Sequence, residues 1–259
     1  MTVQAQPSAA SILARRLGGF VPLSPEEAGG IERLSDGSTR TLAARRDLIR
    51  EGDAPRSLFL IERGWACRYK TLADGRRQIL SLLLPGDLCD LNNDVLRATD
   101  HAIGALTPIH YAEIGHDRVA ALAERHPRVG RALWWQMLVG VSVQREWTLN
   151  NGQRSALERL GHLFCETHHR LRCVGLADGA GCAFPLTQND LAEATGLTPV
   201  HVNRTLQEMR GAGLIVLKDR VLEIPDLAQL EQVALFTPDY LHMDGHGPRA
   251  SRGRPRADA

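Results

Sequence analysis

PLTQNDLAEATGLTPVHVNRTLQEMRGAGLIVLKDRVLEI, Pro185 to Ile224, holds two short helical patterns, a tight glycine-bearing turn and a hairpin. Thr187 stands three residues before Asp190, the spacing of a capping box, which satisfies free amides at a helix start. Leu191, Ala192 and Ala194 continue that helix, and Gly196 ends it with a left-handed residue. Leu197 is the apolar residue of the turn. Thr198 can cap a second helix, with Pro199 at the first helical position, where a missing N–H costs nothing. Val202, Leu206 and Met209 recur at three- and four-residue steps and make one buried stripe. The opposite face carries Val200, His201, Asn203, Arg204 and Gln207, and Asn, Gln and Arg can read base edges in bidentate fashion. After Gly211 and Gly213, Leu214–Leu217 and Val221–Ile224 flank Lys218-Asp219-Arg220, a hairpin with a basic tip. A second helix held across a first at a fixed angle is a device for reading double-stranded DNA in the major groove.

Charge does not mark this segment. Residues 154–236 hold 8 Lys/Arg and 10 Asp/Glu, and the 259-residue chain has a formal net charge of +1. Affinity for DNA must then come from a local positive face, because the electrostatic contribution comes from individual phosphate contacts. The length allows two small domains. No apolar run approaches 18 residues, so neither a membrane span nor a signal peptide is expected. Five cysteines in scattered positions suit a reducing, cytoplasmic compartment rather than a disulfide framework.

The stretch LTQNDLAEATGLTPVHVNRTLQEMRGAGLI resembles the winged helix-turn-helix of the Crp/Fnr superfamily of bacterial transcription regulators, and the resemblance runs from about Leu23 to Phe236. It implies an α+β chain: an N-terminal antiparallel β-roll, a long dimerisation helix and a C-terminal winged helix-turn-helix. It also implies a homodimer on a palindromic site, with RNA polymerase as a further partner. The corresponding segments are a flexible lead over 1–20, a sensor roll over 21–126, a dimerisation helix over 127–153, a DNA-binding domain over 154–236 and a flexible tail over 237–259. Arg204 matches the base-reading arginine of the family. Pro199 and Val200 stand where some members carry arginine and glutamate, so the preferred site should differ from theirs. Thr187, Gln188, Thr198, Val200, His201, Asn203, Arg204, Gln207, Lys218 and Arg220 are the expected DNA-facing set.

The N-terminal half reads as short strands between turns: Leu58–Gly64, Trp65–Lys70, Gln78–Gly86 and His101–Thr107 are the clearest, with Gly52, Gly64, Gly75 and Gly86 at a period of eleven or twelve. That period marks the corners of a rolled antiparallel sheet, although any β-sandwich would space its glycines similarly. Metal-dependent enzymes on such rolls need paired histidines and a carboxylate, whereas His101, His110 and His116 are isolated. No nucleophile-elbow, phosphate-loop or zinc-hydrolase spacing is present, so no enzyme is expected.

Cyclic-nucleotide-binding members carry Gly-Glu after the Pro-Gly-Asp turn and Arg-Ser further on. Here Pro85-Gly86-Asp87 is followed by Leu88-Cys89-Asp90-Leu91, and Thr99-Asp100 stand near the Arg-Ser position. An acidic loop without its arginine repels a phosphate, so usual cAMP binding is not expected, with Arg97 the nearby cation. Asp87, Cys89, Asp90 and Arg97 form the candidate effector loop. The alternative is a cyclic-nucleotide- or redox-responsive regulator that senses through this loop or Cys89. With no cysteine before Cys67, an N-terminal iron–sulfur cluster is not expected, and no cofactor is assigned. Cys165, His168, His169, Cys173 and Cys182 could hold zinc or a redox switch, or be buried cysteines and surface histidines at a domain junction.

From Pro127 to Gln153 a helix with broad apolar coverage is expected, through Val129, Leu133, Trp134, Met137, Leu138, Val141 and Trp147. A wide stripe suggests one contact with the roll and one with a partner helix. Asn150-Asn151-Gly152 reads as a hinge, and a helix from about Ala156 to Arg172 follows.

Overall fold

A computed structural model describes residues 9–54, 57–89, 91, 97–179 and 181–243. In chain order the described elements of the N-terminal half are α1 (Ala9–Gly18), α2 (Pro25–Leu34), β1 (Thr39–Leu42), β2 (Asp47–Ile49), β3 (Ser57–Arg63), β4 (Ala66–Thr71), β5 (Arg77–Leu83), β6 (Leu88–Cys89), β7 (Ala102–Ala105), β8 (Ile109–Gly115) and α3 (His116–Arg125). The strands pair antiparallel in two four-stranded sheets, β1-β8-β3-β6 and β2-β7-β4-β5. Leu58 faces Ile114 across β3 and β8, and Cys67 faces Gly104 across β4 and β7. Ile49, Ile61, Ala66, Leu83, Ile103 and Ile109 fill the space between the sheets. The periodic glycines all have left-handed backbones, φ 91 at Gly52, 78 at Gly64, 87 at Gly75 and 90 at Gly86. At Gly64 a Cβ would stand 2.2 Å from the Pro108 carbonyl oxygen, so the corner is closed to any other residue.

The expected flexible lead over 1–20 is corrected from Ala9 onward. Leu13 and Leu17, one helical turn apart in α1, are fully buried, and Phe20 is buried behind them. Residues 1–8 lie outside the described residues. Helix α2 stands within the stretch assigned to the roll. Its N-cap Ser24 and Glu27 form a reciprocal capping box, and Ile31 and Leu34 are buried. The other end is corrected in the same way. Phe236 and Leu241 are buried and a 3-10 turn spans Pro238–Leu241, so the packed chain continues beyond 236. Residues 244–259 lie outside the described residues.

Helix α4 (Pro127–Gln153) turns Val129, Leu133, Val139, Val143 and Trp147 inward. Trp134, Leu138, Val141 and Leu149 are exposed, at 62, 58, 42 and 47%. The broad coverage thus splits into two stripes, with Val141 on the outer one. The expected hinge at Asn150–Gly152 is instead continuous helix: Asn150 is buried and donates to the Arg159 carbonyl (3.4 Å), and Asn151 donates to that of Ala194 (3.3 Å). The break falls at Arg154, where ψ turns to 147. Ser155 and Glu158 then box the start of α5 (Ala156–Cys173), which is buried from Leu160 through Leu171. A helix covered on all sides is a core helix. Helix α5 is followed by β9 (Ala177–Asp178), β10 (Gly181–Ala183), α6 (Gln188–Thr195), α7 (Pro199–Gly211), β11 (Val216–Lys218), β12 (Val221–Glu223) and α8 (Leu227–Val233), of which β9, β10, α6, α7 and α8 pack on it. Phe184 meets Phe164 and Trp65 edge-on at 5.1 and 5.5 Å, which joins the C-terminal core to the roll.

Candidate nucleic-acid interface

Each local device of the Pro185–Ile224 stretch is in place. The Thr187 hydroxyl accepts from the Asp190 amide (3.2 Å) while the Asp190 carboxylate accepts from the Thr187 amide (2.9 Å). Gly196 is left-handed, φ 67, and stops α6. Thr198 accepts from the His201 amide (3.2 Å) and Pro199 opens α7. Val202, Leu206 and Met209 are buried, and α7 packs on α5 and α6. Val200, 81% exposed, and the exposed Arg204 and Gln207 stand on the outer face, with His201 and Asn203 half-buried beside them. Gln188, exposed at the start of α6, reaches the same surface, where its Oε1 accepts from Asn203 (3.2 Å).

The wing is the β11–β12 hairpin, registered Lys218 to Val221 and continued by β10 and β9 in one sheet. Asp219 and Arg220 both have positive φ, 51 and 61, as a two-residue hairpin turn requires. The Arg220 carbonyl accepts from the Phe184 amide (2.8 Å), so the tip is anchored while the Lys218 and Arg220 side chains stay exposed.

The reading head is held against the roll by contacts that sequence pattern did not reveal. Arg45 forms a two-pronged ion pair with Asp190, at 2.5 and 3.0 Å. Burial alone would raise the Asp190 carboxyl, but bonds from Arg45 and Thr187 outweigh it and hold the group below the usual carboxylate range. Arg77 pairs with Glu193 (3.2 Å). The last carbonyls of α6 are capped by side chains from three elements: Gln78 on Glu193 (2.6 Å), Asn151 on Ala194, and Arg159 on Thr195 (3.1 Å). Nothing in the spacing of Arg45, Arg77 or Gln78 marks them, because their partners lie over a hundred residues away.

Comparisons agree with this architecture at both ends. Residues 158–233 match the model of the Crp-like helix-turn-helix domain, and residues 39–126 that of the cyclic nucleotide-binding domain. The chain belongs to the Crp/Fnr family of transcription regulators. Among curated relatives, the transcriptional activator protein FnrL of Cereibacter sphaeroides is 28% identical over 199 residues, 75% of this chain and 79% of that protein. The nitrogen fixation regulation protein FixK of Bradyrhizobium diazoefficiens is 29% identical over 186 residues, 71% of this chain and 76% of that one. The solved FixK2 of Bradyrhizobium japonicum shares the fold with a TM-score of 0.66 at 22% identity, covering 75% of this chain and 96% of its own. This Crp/Fnr regulator is thus a DNA-binding protein of α+β architecture. Among the described residues no helix is long and apolar enough to cross a membrane.

The candidate effector loop of the regulator is described in part. Asp87 is buried in ion pairs at one wall of a cleft. It pairs with Arg16 of α1 and Arg170 of α5, each at 2.6 Å, and accepts from the Leu84 amide (2.7 Å). Cys89 is fully buried in β6, and Arg97 is exposed. Asp90 lies outside the described residues. Arg170 also pairs with Glu166 (3.1 Å), which accepts from Trp147 Nε1 (3.0 Å) and the Tyr240 hydroxyl (2.8 Å). This buried chain joins α1, the Pro-Gly-Asp turn, α4, α5 and the C-terminal turn. Sequence offered one signal for it: Glu166 and Arg170 are spaced i, i+4. Arg16, Asp87 and Arg170 of this buried chain line a cleft of about 440 Å³ between β5, α4 and the C-terminal turn, with Ser81, Asp100, His101, Gln136 and Gln144 on its other walls. Among the described residues the cysteines and histidines form no three-residue group that could hold a metal ion. His169 bonds Glu231 (2.6 Å), Cys173 lies against Met243 (3.0 Å), and Cys182 sits on β10. Burial pushes the Cys182 thiol up to about 11.

Proposed function

We propose that this regulator binds a palindromic DNA site as a homodimer, with α7 in the major groove and the wing on the flanking phosphates. The observation that carries the reading is the division of α7 into a buried stripe, Val202, Leu206 and Met209, and an outer face bearing Val200, Asn203, Arg204 and Gln207. Arg204 reads a guanine, with His201 or Asn203 at its side, and Val200 offers an apolar contact suited to a thymine methyl. Thr187, Gln188, Thr198, Lys218 and Arg220 supply contacts to the backbone. The exposed apolar stripe Trp134, Leu138, Val141 and Leu149 of α4 is the dimer seam, and twofold symmetry matches a palindrome. RNA polymerase is the further partner and the cytoplasm the site of action.

In this reading the roll does not take cAMP in the usual way. Thr99 is buried with its hydroxyl on the Arg50 carbonyl (3.0 Å), and Asp100 puts an acidic group on the cleft. The test is site selection from a randomised palindromic library, followed by titration of the selected site. Arg204→Ala should weaken binding by about 1–3 kcal/mol per half-site and relax one base pair. Unchanged affinity for the selected site at ordinary salt would overturn the assignment of α7.

A further inference from the structure

The outer face of α7 carries an ordered run of amides. Asn203 donates from Nδ2 to Oε1 of Gln188 (3.2 Å). Gln207 donates from Nε2 to Oδ1 of Asn203 (3.0 Å). The three residues come from two helices: Gln188 is the first residue of α6, and Asn203 and Gln207 are one turn apart on α7. The Asn203 amide is therefore gripped at both of its ends.

The grip changes what Asn203 can bond. A primary amide has two N–H donors and an oxygen with two lone pairs. Gln188 takes one donor and Gln207 takes one lone pair, leaving Asn203 one donor and one acceptor. Adenine presents in the major groove one acceptor, N7, and one donor, the N6 amino group. Guanine presents two acceptors, cytosine a donor alone, and thymine an acceptor beside a methyl. Of the four bases only adenine satisfies both remaining positions. Running the relay in the opposite sense leaves the same pair, one donor and one acceptor, so the match to adenine does not depend on which way each amide is turned.

We infer that Gln188, Asn203 and Gln207 form an amide relay that commits Asn203 to adenine at the base pair beside the one read by Arg204. Gln188 is a positioning residue in this relay. Its Nε2 keeps both hydrogens for a phosphate oxygen, and it stands exposed at the N-terminus of α6, where the helix dipole favours an anion. One side chain then ties the backbone contact to the base contact, so that docking on phosphate fixes the plane of the reading amide. The inference rests on the proposal that α7 enters the major groove.

The experiment is parallel site selection from the randomised palindromic library with the full chain, as wild type and as Asn203→Ala, Gln188→Ala and Gln188→Glu. Wild type should select adenine beside the Arg204 base pair in each half-site. Asn203→Ala should lose that preference, about 5- to 150-fold, the scale of one bidentate contact. Gln188→Ala should weaken the same preference severalfold and leave the Arg204 position untouched, although Gln188 reaches no base. Gln188→Glu keeps an oxygen for Asn203 but loses both donors, so it should bind every sequence more weakly while retaining adenine. If Gln188→Ala lowers affinity equally for all sequences, Gln188 is a phosphate contact only and the relay is overturned. A wild-type palindrome without adenine at that position also overturns the relay but leaves the proposed function standing. A wild type that selects no sequence removes both.

Discussion

Replacing Asp87 with alanine should strand a buried cation. Its carboxylate, 6% exposed, holds Arg16 and Arg170 at 2.6 Å each and the Leu84 amide at 2.7 Å. Arg170 keeps Glu166 after the change, at 3.1 Å. Arg16, also 6% exposed, loses the carboxylate it pairs with and has buried Nε and Nη1 atoms already without a partner among the described residues. Removing one member of a buried ion pair costs about 3–5 kcal/mol, because the other charge stays behind in a poor solvent. At a urea m-value of about 2 kcal/mol/M the unfolding midpoint should fall by about 1.5–2.5 M. Urea titration followed by tryptophan fluorescence measures it, and Trp147, whose indole bonds Glu166, reports from within the same network. Arg16→Met combined with Asp87→Ala should recover a large part of the loss, since the stranded charge goes with it. A loss below about 1 kcal/mol for Asp87→Ala, or effects of the two substitutions that add within about 0.5 kcal/mol, would refute the reasoning. The acid dependence has a definite sign. Burial would raise the Asp87 carboxyl, but Arg16 and Arg170 outweigh burial and hold it low. The stability it contributes is therefore present above the ordinary carboxylate pKa near 4 and is lost as pH falls through the folded value.

Leu138→Glu would set two carboxylates against each other across the proposed α4 seam; the variant should sediment as a monomer at micromolar concentration and wild type as a dimer. Thr187→Ala removes the α6 cap and should cost about 1 kcal/mol, read as a lowered thermal midpoint. Arg220→Ala should weaken all DNA sequences about equally and flatten the salt dependence, because a phosphate contact carries no sequence information; a shift in the selected sequence would count against a phosphate role.

Pattern alone located the helix-turn-helix, because its determinants are local. The Thr187–Asp190 box, Gly196, the Thr198–Pro199 start and the Val202, Leu206, Met209 stripe each act within a few residues, and all stand in the structure as read. The corner glycines were legible for the same reason, since a left-handed backbone excludes other residues wherever it occurs. Other features needed the tertiary structure. The short amphipathic α1 looked like a loose lead until Leu13 and Leu17 found the roll, because a helix of ten residues is too short to persist without packing. Asn150-Asn151-Gly152 looked like a hinge from composition, yet two side-chain bonds to distant carbonyls keep it helical. Asp87 passed for a loop acid because burial and its partners Arg16 and Arg170 lie 71 and 83 residues away in sequence. The reading face divides in the same way. Residue types chose Asn203, Gln188 and Gln207 as candidates, but only the crossing of α6 over α7 brings Gln188 to Asn203 and decides which hydrogen bonds are left for a base. Sequence determines local conformation through caps, turns and periodicity; which charges are buried together, and which amides meet, is decided by packing between residues far apart in the chain.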